Sequence, residues 1–406
     1  MSRRLLRDRS FQRLWAAHTT SSFGDALTSL ALLLITQQLT GSTAAVAGTA
    51  IAIALPQLLV GLLAGVMVDR WSRRRVMIAS DLVRAGLVLG FIAVTSSERL
   101  WLLYLIAFTQ SAVGTFFNPA RAAFLAEVLP SDRLLPANSL SEMSRVVAGV
   151  AGVAAAGVLA SLGSLSVVFV VDSITFLVSA GLVALVPQSP RGRDGPRARV
   201  LADLVTGLAL IARSRTLMGV VTAGAVGMLG LGAVNVLLVP FVVGVLGASE
   251  AWFGALEGAM VAAMVISGVL VAAVARSLQP THLISAGAVG IGVGVGGIGF
   301  THQVWQLLPL LFLAGASVTP LQASVTTLLQ TTVQPEVRAR TQAAFNTLVS
   351  GANLASISLA GAAAAAIGVR NVFGAAAVIV IAAGVAAHLV FRGAASASAT
   401  PILERR

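Results

Sequence analysis

The sequence predicts an all-α integral membrane protein with twelve transmembrane helices in two pseudo-symmetric six-helix bundles. Three observations predict it. Of the 406 residues, 57% are hydrophobic and 10% charged, and mean hydropathy is +0.92. Soluble domains carry about 25% charged residues, so this composition cannot build a water-facing surface. Apolar runs of about 20 residues, the length that crosses a ~30 Å hydrocarbon core, recur along the whole chain. The basic residues lie in short clusters between those runs, which is the pattern of membrane topology.

In order, the predicted spans are 12–36, 44–68, 76–97, 100–119, 139–162, 165–187, 216–246, 250–274, 282–301, 304–329, 342–367 and 370–392. The leading stretch MSRRLLRDRSFQRLW is basic like a targeting segment. The apolar run after it leads into Gly24-Asp25 without a small-residue cleavage site, so it reads as an uncleaved first span. Only Ser161-Leu162-Gly163 parts spans five and six, and only Gly368-Val369-Arg370 parts eleven and twelve. All 27 basic residues are Arg. With the N-terminus cytoplasmic, Arg99 and Arg370 fall outside, Arg84 and Arg145 fall within spans, and every other Arg falls inside. A wrong number of spans would scramble this alternation. The expectation is therefore a multi-pass protein of the plasma membrane with both termini cytoplasmic.

The polar stretch 188–215 divides the chain into an N-terminal bundle (1–187) and a C-terminal bundle (216–406). Its first part, QSPRGRDGPRAR, has the composition of a flexible linker. Its second part, VLADLVTGLALIARSR, has an apolar stripe at helical spacing and is predicted to lie along the cytoplasmic interface. The halves echo each other. FFNPARAAFLAEVLPSDRLLPANSL follows span four and VTPLQASVTTLLQTTVQPEVRARTQAAFN follows span ten, each with a Pro at the span's end, a second Pro further on, and then an Arg before the next apolar run. Such pairing is what a two-bundle carrier with alternating access requires.

The residue inventory excludes several chemistries. No Cys means no disulfide and no thiolate nucleophile or ligand. No Lys means no P-loop, Schiff-base or general-base lysine. His18, His282, His302 and His388 lie on different segments without metal-ligand spacing, so no metal and no cofactor is expected. Ser22-Phe23-Gly24-Asp25 lacks the first Gly of an intramembrane aspartyl motif. The Gly-rich run VGIGVGVGGIGF sits inside span nine with no strand before it, so it is not a nucleotide loop. A net charge of +12 would suit nucleic acid, but the Arg clusters serve topology and no nucleic-acid partner is expected.

An ionisable residue deep in a span costs several kcal/mol and marks a functional candidate. Asp25, flanked by Ser21, Ser22, Thr28 and Ser29, is the leading candidate for coupling to protons or substrate; the alternative is a structural carboxylate bonded to a neighbouring helix. Asp172 and Glu257, about two turns below the outer surface, are further coupling candidates. Asp81 with Arg84, and Glu142 with Arg145, are i, i+3 pairs that share a helix face and form an inner charge network, read as gate or packing structure. His18 reads as a packed or cavity-facing imidazole. Gln57, Gln110, Asn235, Gln322, Asn346 and Asn353 are candidates to line a cavity.

The loop after span two reads Gly65-Val-Met-Val-Asp69-Arg70-Trp-Ser72-Arg73-Arg74-Arg75. It resembles the signature loop of the major facilitator superfamily, with Ser72 where that family has Gly. The resemblance implies that Asp69, Arg73 and Arg74 belong to a charge network holding a cytoplasmic gate, pairing in one transport state and releasing in another. FQRLWAAHTTSSFGDALTSLAL, MIASDLVRAG, FFNPARAAFLAEVLP with PANSL, DSITFLVSA and LADLVTGLALIARSR are similar, in order and spacing, to the drug- and siderophore-exporter branch that includes macrolide-efflux and enterobactin-export proteins. Two departures stand out. Gln110 replaces the Arg of many drug–proton antiporters. The span-five motif runs Gly149-Val-Ala-Gly152-Val-Ala-Ala-Ala-Gly157 without the usual Pro, although its small residues still allow close helix approach.

The resemblance implies a monomeric secondary active transporter that exports amphipathic small molecules (drug, antibiotic or siderophore-like) by alternating access, in exchange for protons. The alternatives are an importer of a small solute or a lysophospholipid flippase on the same fold, and, remotely, a non-transporting receptor or scaffold. A membrane-embedded enzyme is not expected.

Overall fold

The computed structural model describes residues 5–163, 165–187, 200–274 and 279–398, and among them there are helices and no strands. The first half comprises α1 (Arg9–Thr40), α2 (Thr43–Arg70), α3 (Arg73–Leu89), α4 (Leu100–Gly114), α5 (Phe117–Val128), α6 (Ser131–Ser161) and α7 (Leu165–Ala184). The second comprises α8 (Val200–Arg213), α9 (Arg215–Val239), α10 (Trp252–Val274), α11 (Pro280–Ile298), α12 (Leu307–Thr332), α13 (Pro335–Ile367) and α14 (Val369–Ser398). Each predicted span corresponds to one of these helices. The segment after span four forms a separate helix, α5, whereas its counterpart in the second half continues unbroken through Pro320 in α12.

Local chemistry fixes the helix ends. Asp8 caps α1, accepting from the Ser10 and Phe11 amides at 3.0 and 3.1 Å. Ser42 and Ser214 cap α2 and α9 in the same way. Pro280 and Pro335 stand in the first turn of α11 and α13, where a missing N–H costs nothing. The two shortest span separators each turn on a glycine in the left-handed region: Gly163 (φ 72°) between α6 and α7, and Gly368 (φ 83°) between α13 and α14. A side chain is disfavoured there, so both helices stop.

Eleven helical stretches among the described residues are long and apolar enough to cross a membrane. The first span of the fold, α1, is 32 residues long but falls outside that set, because His18, Thr19, Thr20, Ser21, Ser22 and Asp25 interrupt its apolar character. Its polar face is turned inward, as described below. On α7, Val168, Asp172, Phe176, Ser179 and Val183 are buried, while Val167, Val170, Ile174, Leu177 and Val178 are exposed. An apolar outer stripe over a polar inner face suits a solvent of lipid.

The chain forms two compact units. One holds residues 1–200 with 242–257; the other holds 201–241 with 258–406. In the first, α1 packs along α6 and α7, and α3 along α7. Gly152 lets α6 reach the α1 backbone at Phe23. Residues 242–257 join this unit, where Gln38 Nε2 donates to Glu250 Oε1 at 3.3 Å and Gly254 lies against Ala154. In the second, α11 packs along α12 and α14, and α9 along α13 and α14. The amphipathic segment predicted at 200–215 forms α8, whose Gly207 abuts the Arg340 carbonyl at the start of α13.

Candidate functional site

A cavity of about 350 Å³ opens within the first unit. α1 supplies its polar wall. Ser21, Asp25 and Thr28 recur at i, i+4 and i+7, with His18, Ser22 and Ser29 beside them. Gln57 enters from α2, Arg84 from α3, Gln110, Ser111 and Gly114 from α4, and Arg145 and Gly149 from α6. Leu32, Ile53, Ala107 and Phe117 complete an amphipathic lining.

The charged centre of this cavity is an ion pair between Asp25 and Arg84. The two ends are unequal: the Arg84 side chain is 6% exposed and that of Asp25 is 44% exposed. Arg84 is thus held in the wall while its carboxylate partner faces the cavity. The guanidinium lies 4.0 Å over the Phe176 ring, a cation–π contact that desolvation strengthens. Gly114 leaves room for it, since a Cβ there would meet Arg84 Nε at 3.3 Å.

Asp81, buried on α3, stands 3.8 Å from the other guanidinium nitrogen and accepts from Ser179 Oγ at 2.6 Å. Its Oδ1 has no hydrogen-bond partner. The i, i+3 spacing of Asp81 and Arg84 therefore gives a looser contact than the cross-helix pair with Asp25, which spacing does not reveal. Asp172 of α7 is fully buried; it accepts from Thr28 Oγ1 at 2.5 Å, and Thr175 Oγ1 lies within hydrogen-bond distance of its Oδ1, at 3.1 Å. Gly24 makes this possible, because a methyl there would overlap both Asp172 and Thr175.

The other candidates separate. Glu142 and Arg145 bond at 2.5 and 3.0 Å, but both are well exposed, at 61% and 49%. His18 is buried against Phe117 at 6.3 Å between ring centroids, and its Nδ1 has no partner. Gln110 is buried with an unpartnered Oε1. Glu257 is half-buried on α10 and is not among the residues lining the cavity. Asn235, Gln322 and Asn346 are exposed in the second unit, where Asn346 accepts from Gln342 at 3.0 Å. Asn353 is half-buried opposite Gly232. Of the signature loop, Arg73 pairs with Glu127 of α5, and Arg74 donates to the Val183 and Ala184 carbonyls at the end of α7. The Asp69 side chain lies outside the described residues. Sequence reasoning missed Glu127, Ser179 and Thr175 as partners. For Ser179 and Thr175 the signal is the helical phase of hydroxyl residues on α7, which does not name a partner; for Glu127 of α5 the local sequence offers none.

Comparison with known proteins bears on the family and the fold. The sequence model of the Major Facilitator Superfamily matches residues 14–356. Macrolide efflux protein A of Streptococcus pyogenes is 22% identical over 370 residues, 89% of this chain and 91% of the relative. The uncharacterized MFS-type transporter YfiS of Bacillus subtilis is 26% identical over 85% of this chain and 83% of the relative. Among solved structures, a bacterial homologue of the iron transporter ferroportin, inward-facing, aligns with a TM-score of 0.74 at 17% identity over 95% of this chain and 98% of the other. A bacterial homologue of the human lysosomal transporter Spinster, inward-facing and occupied, aligns with a TM-score of 0.74 at 16% identity over 97% and 98%. At these identities the structures speak to the fold.

Proposed function

The chain belongs to the major facilitator superfamily and is a multi-pass membrane transporter, and from that premise we propose that it exports amphipathic small molecules across the plasma membrane in exchange for protons. The observation that carries this reading is the Asp25 carboxylate, presented to an amphipathic cavity and held by a buried Arg84. The mixed lining suits a solute with an apolar body and a polar or cationic group. When such a group, or a proton, neutralises Asp25, the attraction on Arg84 falls and the charge balance of α1 against α3 changes. A charge change at the contact of two helices is what couples binding to an alternating-access movement. The likeness to macrolide efflux protein A favours export over uptake. In this reading the protein works as a monomer with both termini cytoplasmic, and small-molecule substrate, protons and lipid are its partners.

The test is accumulation of fluorescent amphipathic compounds and a macrolide in cells lacking their own efflux pumps, with and without a protonophore. Export predicts lower accumulation with the wild-type protein, reversed by the protonophore and by Asp25→Asn. Equal accumulation of every compound in wild-type and empty-vector cells overturns broad efflux.

A further inference from the structure

Asp172 presents a charge problem that the Asp25–Arg84 pair does not solve. Three carboxylates, Asp25 on α1, Asp81 on α3 and Asp172 on α7, surround a single cation, Arg84. Arg84 pairs with Asp25 and stands 3.8 Å from Asp81. None of the ion pairs among the described residues includes Asp172, which is 0% exposed. The charged groups acting on it are Asp25 from α1 and Arg84 from α3. Asp81 faces Ser179, and Glu142 and Arg145 on α6 are occupied with each other. An ionised carboxylate without a cation, sealed between helices, costs several kcal/mol, whereas the neutral acid costs little.

The hydrogen bonds point the same way. Thr175 Oγ1 has one hydrogen, yet it lies 2.8 Å from the Asp172 carbonyl and 3.1 Å from Asp172 Oδ1. If Oδ1 carries a proton it donates to Thr175, whose own hydrogen goes to the carbonyl, and each hydrogen has one acceptor. Oδ2 accepts from Thr28, at 2.5 Å. Thr28 also lines the cavity, one turn after Asp25.

We propose that Asp172 is the proton-holding carboxyl of the transport cycle, loaded and emptied through the Thr28 hydroxyl. To empty the site, a half-turn of the carboxyl group brings its proton to Thr28 Oγ1. The hydroxyl takes up that proton as it releases its own toward Asp25 and the cavity. The carboxylate that remains accepts from both threonines, and loading reverses each step. This assignment rests on the proton-coupled reading above. It makes Asp25 the cavity-facing electrostatic partner and Asp172 the store.

The test is infrared spectroscopy of the purified full-length chain in lipid nanodiscs at neutral pH, with ¹³C-labelled aspartate to identify the C=O stretch of a protonated carboxylic acid. The wild type is expected to show this band. Asp25→Asn and Asp81→Asn keep it, and Asp172→Asn removes it. Thr175→Val shifts it by deleting its hydrogen-bond acceptor, which tests the assignment even if Asp172→Asn does not fold. Thr28→Val slows its deuterium exchange about a hundredfold, the lower end of what a positioned proton-transfer group contributes. No band in the wild type, a band that survives Asp172→Asn, or a band that Thr175→Val leaves unmoved overturns the store. Exchange unchanged in Thr28→Val overturns the route. The spectra need no transported solute, so they stand apart from the efflux assay. Absence of export with the band present removes the exporter reading and leaves the protonated Asp172 in place.

Discussion

Arg84 and Arg145 each follow a carboxylate by three residues, and burial separates their worth. Arg84 is 6% exposed against Asp25 and the Phe176 ring, whereas Arg145 and Glu142 are 49% and 61% exposed. Replacing Arg84 by Met strands the fully buried Asp81 and is expected to cost about 3 kcal/mol, the scale of a broken buried ion pair. Arg145→Met is expected to cost under about 1 kcal/mol. Thermal unfolding of the two variants in the same detergent checks the contrast; equal losses would remove the case for a buried Arg84 centre. Gly24→Ala pushes a methyl into Asp172 and Thr175, and is expected to destabilise by about 1–3 kcal/mol and to abolish efflux. At this scale the sequence named Asp25, Asp172, Asp81 and Arg84 as candidates, because ionisable residues are conspicuous in apolar runs. It did not pair Asp25 with Arg84, since 59 residues separate them and only helix packing aligns their faces.

Among the elements, α6 shows how one small-residue motif divides its work. Gly149 has open space and borders the cavity, Gly152 touches the α1 backbone at Phe23, and Gly157 touches the carbonyl of Glu250. The three positions read alike in sequence and differ in what a side chain would meet. Gly149→Ala is therefore expected to express and unfold like wild type, within about 0.5 kcal/mol. Gly152→Leu is expected to force α1 from α6 and to yield little folded protein by size-exclusion chromatography. Comparable yields from both would mean that α1 and α6 do not depend on this contact. The absence of the usual Pro leaves α6 free to run as one helix from Ser131 to Ser161 with Pro136 near its start. α1 makes the converse point. Its hydropathy is too low for an isolated span because its polar stripe faces a cavity instead of lipid, and α6 and α7 cover the rest.

For the whole molecule, the alternation of Arg clusters assigns every loop to a side. The chain has no Cys, so single-cysteine labelling reads that assignment without background. Ser97 and Ser131 are both exposed, at opposite ends of the stretch that α4 and α5 form. A membrane-impermeant maleimide is expected to label Ser97→Cys in intact cells, and Ser131→Cys only after permeabilisation. The reverse pattern would invert the topology. Of the two compact units, the first takes in residues 242–257 as well as 1–200, because packing and not chain order decides which helices cluster.

The sequence by itself determined the class of the molecule: a helical membrane protein of about twelve spans, with a short list of charges inside them. These follow from one-dimensional facts, namely the length of apolar runs, the placement of Arg, and Gly or Pro at turns. The tertiary structure alone decided which carboxylate holds Arg84, that Asp172 rests on two hydroxyls from different helices, and that Gly24 makes room for it. Those contacts depend on the rotation of each helix about its axis and on how closely neighbours approach. Local sequence limits both only weakly, because in lipid every helix already satisfies its own backbone.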